Sequence, residues 1–409
     1  MPVDGLSSPL AVVGDDHQLH VVGPAPQGAR PVTFSGASGR LWGAAVRDGS
    51  TWPVWSPDRS WLGCFQAPAG ADPNSTQVAA SQVDGPEERL LLQLPETLPV
   101  HMQFSPDGAR LAVLVQAGEV LQLWVCSLAG GAPRLIEEGA PLFFSWLPDG
   151  LRLVVHAGGA GGVGRVSVRT ATGRGEDEPL TEAAGLFTTP HVAAGRLVWS
   201  QATADGAALA CRSLEGGATR FLVHSRRVLG FLPDPTGRWL AMSRARSDGR
   251  VYDGLELLHI ESGVHRVLAT GAVTAFCWSP DAQAVLLCRP LPARGALRWS
   301  VLPAGAPPEA ERVLAAFRPT RDQLFQLRFF EQFMPTHPPV SPDGAVLVWA
   351  GAAVDALGCA EGAHRIWSAP VQGVGAVRGL SGGSYAVFPQ ARGGEPGEGS
   401  AGDFVRPVV

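Results

Sequence analysis

The stretch Phe104-Ser-Pro-Asp107-Gly108 decides the fold. It stands between two apolar runs, His101 to Phe104 and Leu111 to Gln116. Proline presets φ, aspartate caps the local backbone and glycine accepts positive φ, so the phrase is a tight turn between strands. It recurs as Trp55-Ser-Pro-Asp58, Trp146-Leu-Pro-Asp149-Gly150, Phe231-Leu-Pro-Asp234, Trp278-Ser-Pro-Asp281 and Val340-Ser-Pro-Asp343-Gly344. Steps between the aspartates are 49, 42, 85, 47 and 62 residues. The doubled step hides a worn copy, His191-Val-Ala-Ala-Gly195-Arg-Leu-Val-Trp199, which keeps the glycine and loses Pro-Asp. A period of roughly 40–50 residues marks a repeat architecture.

One unit shows what repeats. After the turn and the strand Leu111 to Gln116, Ala117-Gly118-Glu119 turns the chain into a third strand, Val120 to Ser127. Its β-branched and aromatic content fits a pleated, half-buried surface. Ala129-Gly-Gly131 turns again into an outer strand, Pro133 to Ile136. Four short antiparallel strands make a propeller blade, so the fold class is all-β, a single β-propeller. Leu10 to Val13, His17 to Val22 and Pro31 to Phe34 read as second, third and fourth strands lacking a first, and Ser384 to Phe388 as a first strand lacking followers. Joined, they complete a blade and leave no free edge at the seam. This composite blade (about 9–34 plus 383–388) and units starting near 51, 101, 141, 188, 228, 273 and 337 give eight blades. Seven is the alternative, if the worn unit is an insertion. The propeller spans 1–390, and the Gly/Glu-rich residues 391–409 read as a disordered tail.

The recurring aromatic-Ser-Pro-Asp-Gly phrase resembles the TolB-like, WD-related propeller repeat over nearly the whole chain. The segment Phe317 to Thr336, ahead of Ser341-Pro-Asp-Gly, is similar to one in uncharacterised bacterial members of that group. The resemblance implies protein–protein or small-ligand contact on a rigid disc. The group also holds accessory domains of serine peptidases and some sugar lyases, so fold does not choose function. The chain departs from TolB in showing no exported leader, no separate N-terminal α/β domain and more blades.

The 409 residues are 45% hydrophobic and 17% charged, with a formal net charge of −5. All 32 basic residues are arginine, a compositional bias that accompanies abundant alanine, glycine and proline. Without a basic stripe, nucleic acid is not an expected partner. No apolar run reaches the length of a membrane span, so no membrane insertion is expected. Met1 to Leu10 lacks a signal-peptide pattern, which places the chain as written in the cytoplasm; a leader removed upstream would place it in the periplasm. The six cysteines form no C-x-x-C pair and sit in apolar strands, as small buried thiols do. Cys277 and Cys288 fall on neighbouring strands, where a disulfide is open but not favoured.

First strands line a propeller's channel, and loops held on a rigid scaffold carry binding residues. The position six before each repeat aspartate marks the channel mouth. In blade order it reads Tyr385, Trp52, His101, Phe143, Thr188, Val228, Ala275 and His337. His337, Tyr385, Trp52 and His101 come from four consecutive blades and form one polar, aromatic arc, a setting for a small ligand or a peptide side chain. Side chains that merely plug the channel are the structural alternative. Arg226, Arg227, Arg244 and Arg246 gather on one blade, as an anion contact or as ordinary solvated charge. Asp15-Asp16-His17 is a turn with too few oxygens to hold a hard cation alone.

The long excursion Ala315 to Thr336 reads as an extended outer strand followed by a short turn or helix near the mouth. Ala67 to Ala80 reads as a mobile loop. Gly379-Leu-Ser381-Gly-Gly383 matches G-x-S-x-G, but no histidine follows and a strand does. His17 and His20 lie on opposite faces of a strand. No catalytic residue, metal ligand or cofactor is assigned. The expected function is a non-catalytic scaffold that binds a protein partner or small ligand at the mouth. The alternative is a propeller-type lyase or hydrolase using the rim histidines.

Overall fold

In a computed structural model, the structure describes residues 6–23, 39–41, 44–46, 49–67, 75–159, 164–174, 177–185, 188–193, 195–246, 251–354, 360–372 and 375–391. The described chain is a β-propeller built from consecutive antiparallel sheets. Four-stranded sheets run from Gly49–Trp55 to Glu88–Leu94, from Thr97–Phe104 to Arg134–Gly139, and from Leu142–Trp146 to Glu178–Thr181. Two more run from His191–Ala193 to Arg220–Ser225 and from Leu229–Pro233 to His265–Val273. Tyr385–Val387 pairs with Leu10–Val13, which pairs with Leu19–Val22, so strands from the two ends of the chain share one sheet. The outer strand expected at Pro31 to Phe34 lies outside the described residues, as does residue 392 onward. A small hairpin, Gly39–Leu41 with Ala44–Val46, was not foreseen, and Thr76–Gln82 is a strand where a mobile loop was expected.

The Ser-Pro-Asp turns are built alike. Ser56, Ser105, Ser279 and Ser341 each donate a hydroxyl hydrogen to the aspartate two residues on, at 2.5 Å. Each serine Oγ also accepts the backbone N–H five residues on, at 2.9–3.0 Å. Burial pushes the Asp107 carboxyl up, but Ser105 and the Ala109 N–H outweigh it and hold the group below its ordinary value. The position after the aspartate is left-handed in every copy. Glycine fills it at Gly108 and Gly344, while Arg59 and Ala282 adopt the same φ of 66° and 60°.

One copy sits in a different register from the sequence reading. Asp234, not Leu232, makes the paired contacts of Ser105: its N–H reaches Trp239 O at 2.8 Å, and its Oδ1 accepts the Trp239 N–H at 2.9 Å. Thr236 therefore holds the aspartate position, and the mouth residue of that blade is Gly230 rather than Val228. In the worn copy the turn is two residues shorter; His191 pairs with Val198, which puts Thr189 at the mouth instead of Thr188.

The motif tryptophans stitch neighbouring blades. The indole N–H groups of Trp55, Trp146 and Trp278 donate to Val387 O, Gln103 O and Leu232 O of the preceding first strand, each at 3.1 Å. A second repeat runs along the outer strands: Arg89-Leu-Leu91, Arg134-Leu-Ile136, Glu178-Pro-Leu180, Arg220-Phe-Leu222, Arg266-Val-Leu268, Arg312-Val-Leu314 and Arg378-Gly-Leu380. In every one the ladder slips by one residue at the last aliphatic, a β-bulge that leaves Leu or Ile unpaired. Arg89, Arg220, Arg266 and Arg312 reach Leu128 O, Ile260 O, Ala304 O and Val371 O of the next blade. Glu178 reverses the polarity and is met by Arg212 of the next blade.

The last two units fuse. The outer strand Arg312–Pro319 pairs with Val346–Val354, so seven strands form one sheet. A Cβ on Gly351 would stand 2.2 Å from Arg318 O; only glycine permits that approach. The first strand of the final unit shrinks to a single bridge, Val340 with Leu347. Between them the chain leaves the sheet as two helices, α1 (Arg321–Arg328) and α2 (Phe330–Phe333).

Candidate functional site

The two helices fill the mouth. Thr320 caps α1, its Oγ1 accepting the Gln323 N–H at 3.2 Å and donating to Ser384 O at 2.7 Å. The Gln332 side chain then clamps Phe144 of one first strand, accepting its N–H at 3.3 Å and donating to its C=O at 3.0 Å. Glu331 Oε1 accepts the Phe231 N–H of another first strand at 2.6 Å. Gln326 donates to His337 O at 2.7 Å, and Gln323 accepts the Ala350 N–H at 3.1 Å. First strands end a sheet at the axis with unpaired backbone groups, and these amides and this acid satisfy several of them. Phe330 packs on Phe276 and Tyr252, with centroids 4.5 and 5.5 Å away. Tyr252 occupies the space in front of Gly230, where a Cβ would lie 2.6 Å from its ring.

Under this plug the four expected rim residues do come together. The rings of His101 and His337 are 5.4 Å apart, and His337 and Tyr385 are 6.4 Å apart. Phe333 touches three of the four, at 4.7 Å from His101, 5.1 Å from His337 and 6.1 Å from Trp52. Phe325 stacks flat on Trp52, 4.8 Å away and 9° from parallel. A bulge between Thr51 and Val54, with Trp52 at φ 49°, turns that indole inward. Such a backbone is rare for a bulky residue and persists only where its surroundings enforce it.

The sequence placed these side chains at an open rim; none is more than 2% exposed, because α1 and α2 cover them. The indole N–H of Trp52, both ring nitrogens of His101, Nε2 of His337 and the Tyr385 hydroxyl are buried without a closed hydrogen bond to protein. Thr336 Oγ1 holds His337 Nδ1 at 2.7 Å. Burial keeps His337 neutral, lowering it to about 3, and burial with the neighbouring His337 pushes His101 well below its ordinary value. Asp322 of α1 lies beside the Trp52 indole and the Ser384 hydroxyl; burial outweighs them and raises its carboxyl.

The arginines behave differently. Arg227 and Arg246 share Asp253 at 3.5 and 3.2 Å, and Arg244 pairs with Glu256. Arg226 is exposed and, among the described residues, pairs with no carboxylate. Asp16 closes its own turn through the Gln18 N–H at 3.0 Å and His20 at 2.9 Å. Among the described residues no three His, Cys, Asp or Glu converge as metal ligands. Cys277 and Cys288 are free thiols; burial pushes Cys277 up to about 12.

The plug residues Asp322, Phe325, Glu331, Gln332 and Phe333 were not singled out from sequence. Their signal was present: Gln323, Gln326, Glu331 and Gln332 alternate with Leu324, Phe325, Leu327, Phe330 and Phe333 in one short segment.

No protein-family model matches the chain, and no curated protein does. Among solved structures it is similar to a prolyl endopeptidase, with 9% identity and a TM-score of 0.54 over 84% of this chain and 50% of that one. It is also similar to TolB from Acinetobacter baumannii (14% identity, TM-score 0.41, 62% and 60% covered). The β-propeller domain of the trilobed protease from Pyrococcus furiosus is a third (9% identity, TM-score 0.48, 85% and 97% covered). The chain thus spans about half of the endopeptidase and 60% of TolB. What it shares with the prolyl endopeptidase is the architecture: a β-propeller fold.

Proposed function

We propose that the chain is a non-catalytic propeller scaffold that binds a small ligand, or a side chain of a protein partner, at the axial site formed by His337, Tyr385, Trp52 and His101. The observation that supports it is the gathering of four buried side chains from neighbouring units on which both His101 nitrogens and the Tyr385 hydroxyl have no protein partner, while the Trp52 indole and the His337 ring are only loosely met by the Asp322 carboxyl and the Trp52 carbonyl. A buried donor or acceptor left unmade costs about 1–3 kcal/mol, and such groups in native proteins are matched by water or a guest. The imidazoles are held neutral and the nearby carboxyl of Asp322 is raised by burial. The site therefore suits an uncharged group bearing hydroxyl or amide functions better than an ion.

The lyase or hydrolase reading has less support. Neutral imidazoles that resist protonation cannot serve as general acids near pH 7. We carry the same proposal through the molecule: eight blades over 1–390, a tail at 391–409, and a cytoplasmic home with the periplasm as alternative. No described helix is long and apolar enough to cross a membrane.

The test is a thermal-shift screen of polyols, sugars and primary amides on the native chain and on a His101→Phe/His337→Phe variant. Binding at the axis predicts a compound that raises Tm of the native chain, leaves the variant unmoved and is recovered unchanged. Equal shifts in both proteins contradict the site. Conversion of the compound by the native chain alone favours the enzyme.

A further inference from the structure

The plug carries a group that the binding proposal does not use. Glu331 projects from α2 into the protein, is 6% exposed, and has its Oε1 2.6 Å from the Phe231 N–H. The Thr189 N–H also points at its carboxyl. Among the described residues no cation answers it. From the strand Leu229–Pro233 it meets the Phe231 backbone, and from Tyr252–His259 the Tyr252 phenol. The segment that supplies Thr189 also carries His191, held neutral by burial at about 3, and the hydroxyls of Thr188 and Thr189, buried without partners. On α1, Asp322 faces Trp52, Ser384 and His17 instead, with Arg321 beside it.

We propose that Glu331 is a proton-operated latch: as a neutral acid it fastens α2 to the Phe231 strand, and loss of its proton releases the plug from the axis. This goes beyond the binding proposal and holds whatever the axial site takes. In the closed state the carboxyl has two backbone donors and, among the described residues, no counter-charge, so burial raises it well above its ordinary 4.5. In water it ionises near that ordinary value. Opening therefore sheds a proton, and the opening constant grows about tenfold per pH unit from roughly 4.5 up to the buried group's own titration.

Asp322 acts in the same direction, its carboxyl also being raised by burial. The buried histidines act in the opposite direction, but only below their ordinary 6.5, where opening lets them take up protons. Above that pH the carboxyls are unopposed. Gln332 on Phe144 is the fastener that pH does not touch, which makes Glu331 and Gln332 adjacent latches of opposite kind.

The experiment is hydrogen exchange, corrected for intrinsic rate, between about pH 6.5 and pH 9. It follows the amides of Phe333, Met334 and His337, which bond to Phe329 O, Phe330 O and Phe333 O, against the core strand amides of Leu111 to Val115. In the native chain, plug protection falls with rising pH while the strand stays level. In Glu331→Gln the slope drops by about a factor of ten per pH unit, and Asp322→Asn, measured in parallel, gives the separate share of the second raised carboxyl. Equal slopes in native and Glu331→Gln proteins overturn the latch. Independently, infrared difference spectra of the native chain at neutral pH should show a protonated carboxylic-acid carbonyl. Its absence overturns the proposal even if the variant does not fold.

Discussion

The outer strands and the axis of this propeller are built on opposite rules. Along the outer strands one solution repeats: a charged residue, Arg in all copies but one, then any residue, then Leu or Ile on a bulge, with four of the arginines strapped to the next unit's carbonyl. The middle residue faces out, and Leu90, Leu135, Phe221, Val267 and Val313 are 40–58% exposed. At the axis no two mouth residues need match: Tyr385, Trp52, His101, Phe143, Thr189, Gly230, Ala275 and His337 share a position and little chemistry. Repetition at the rim solves one problem many times, the docking of blade on blade. Divergence at the axis, with a unique insert pressed into it, is where a scaffold acquires individuality.

The sharpest way to break this contrast is to remove the axial strand that joins the chain's two ends. Deleting 384–409 takes away Tyr385, Val387 and Phe388, all fully buried, and the acceptor of the Trp55 indole. We expect a loss of about 5 kcal/mol or more, seen as a collapse of Tm. An unchanged Tm means that the two ends do not depend on each other. Next comes the plug itself. Phe333→Ala opens a hole between Trp52, Phe325, His101 and His337 and should destabilise by about 3–5 kcal/mol, whereas Val267→Ala at the rim stays within about 0.5 kcal/mol. Similar losses at the two places would erase the distinction.

Acid probes the axis more gently. His337 and His191 sit near 3 when folded and His101 well below 6.5. The unfolded chain thus binds more protons as pH falls below about 6.5, and stability declines from there toward pH 3, by up to about 1.4 kcal/mol per pH unit for each imidazole. Chemical denaturation across that range reads the slope, and His337→Phe should make it shallower. The smallest effect is a single strap. Arg266 donates to Ala304 O and lies 5.3 Å over the Trp239 ring. Arg266→Ala should cost about 1 kcal/mol, with no change in plug protection.

Sequence made the fold legible because turn chemistry is local. Ser-Pro-Asp-Gly states its own geometry, and its spacing states the repeat. The same local logic failed where two phrases compete. Phe231-Leu-Pro-Asp234-Pro-Thr-Gly offers two aspartate-like positions, and only the ladder shows that Asp234 does the work of serine. Arg-x-Leu was equally periodic but has no turn to announce it; its meaning lies in a carbonyl of the next blade. His337, Tyr385, Trp52 and His101 could be gathered on paper because they share a repeat position. Their burial could not, since it depends on Phe325 and Phe333 crossing the axis from one insert.

An experimental structure at high resolution tests the central claim most directly. The account predicts α1 and α2 seated over the axis, and density for water or a small molecule within hydrogen-bond distance of His101, His337 Nε2 and the Tyr385 hydroxyl. An axis free of those helices, or the four side chains dispersed, would contradict it.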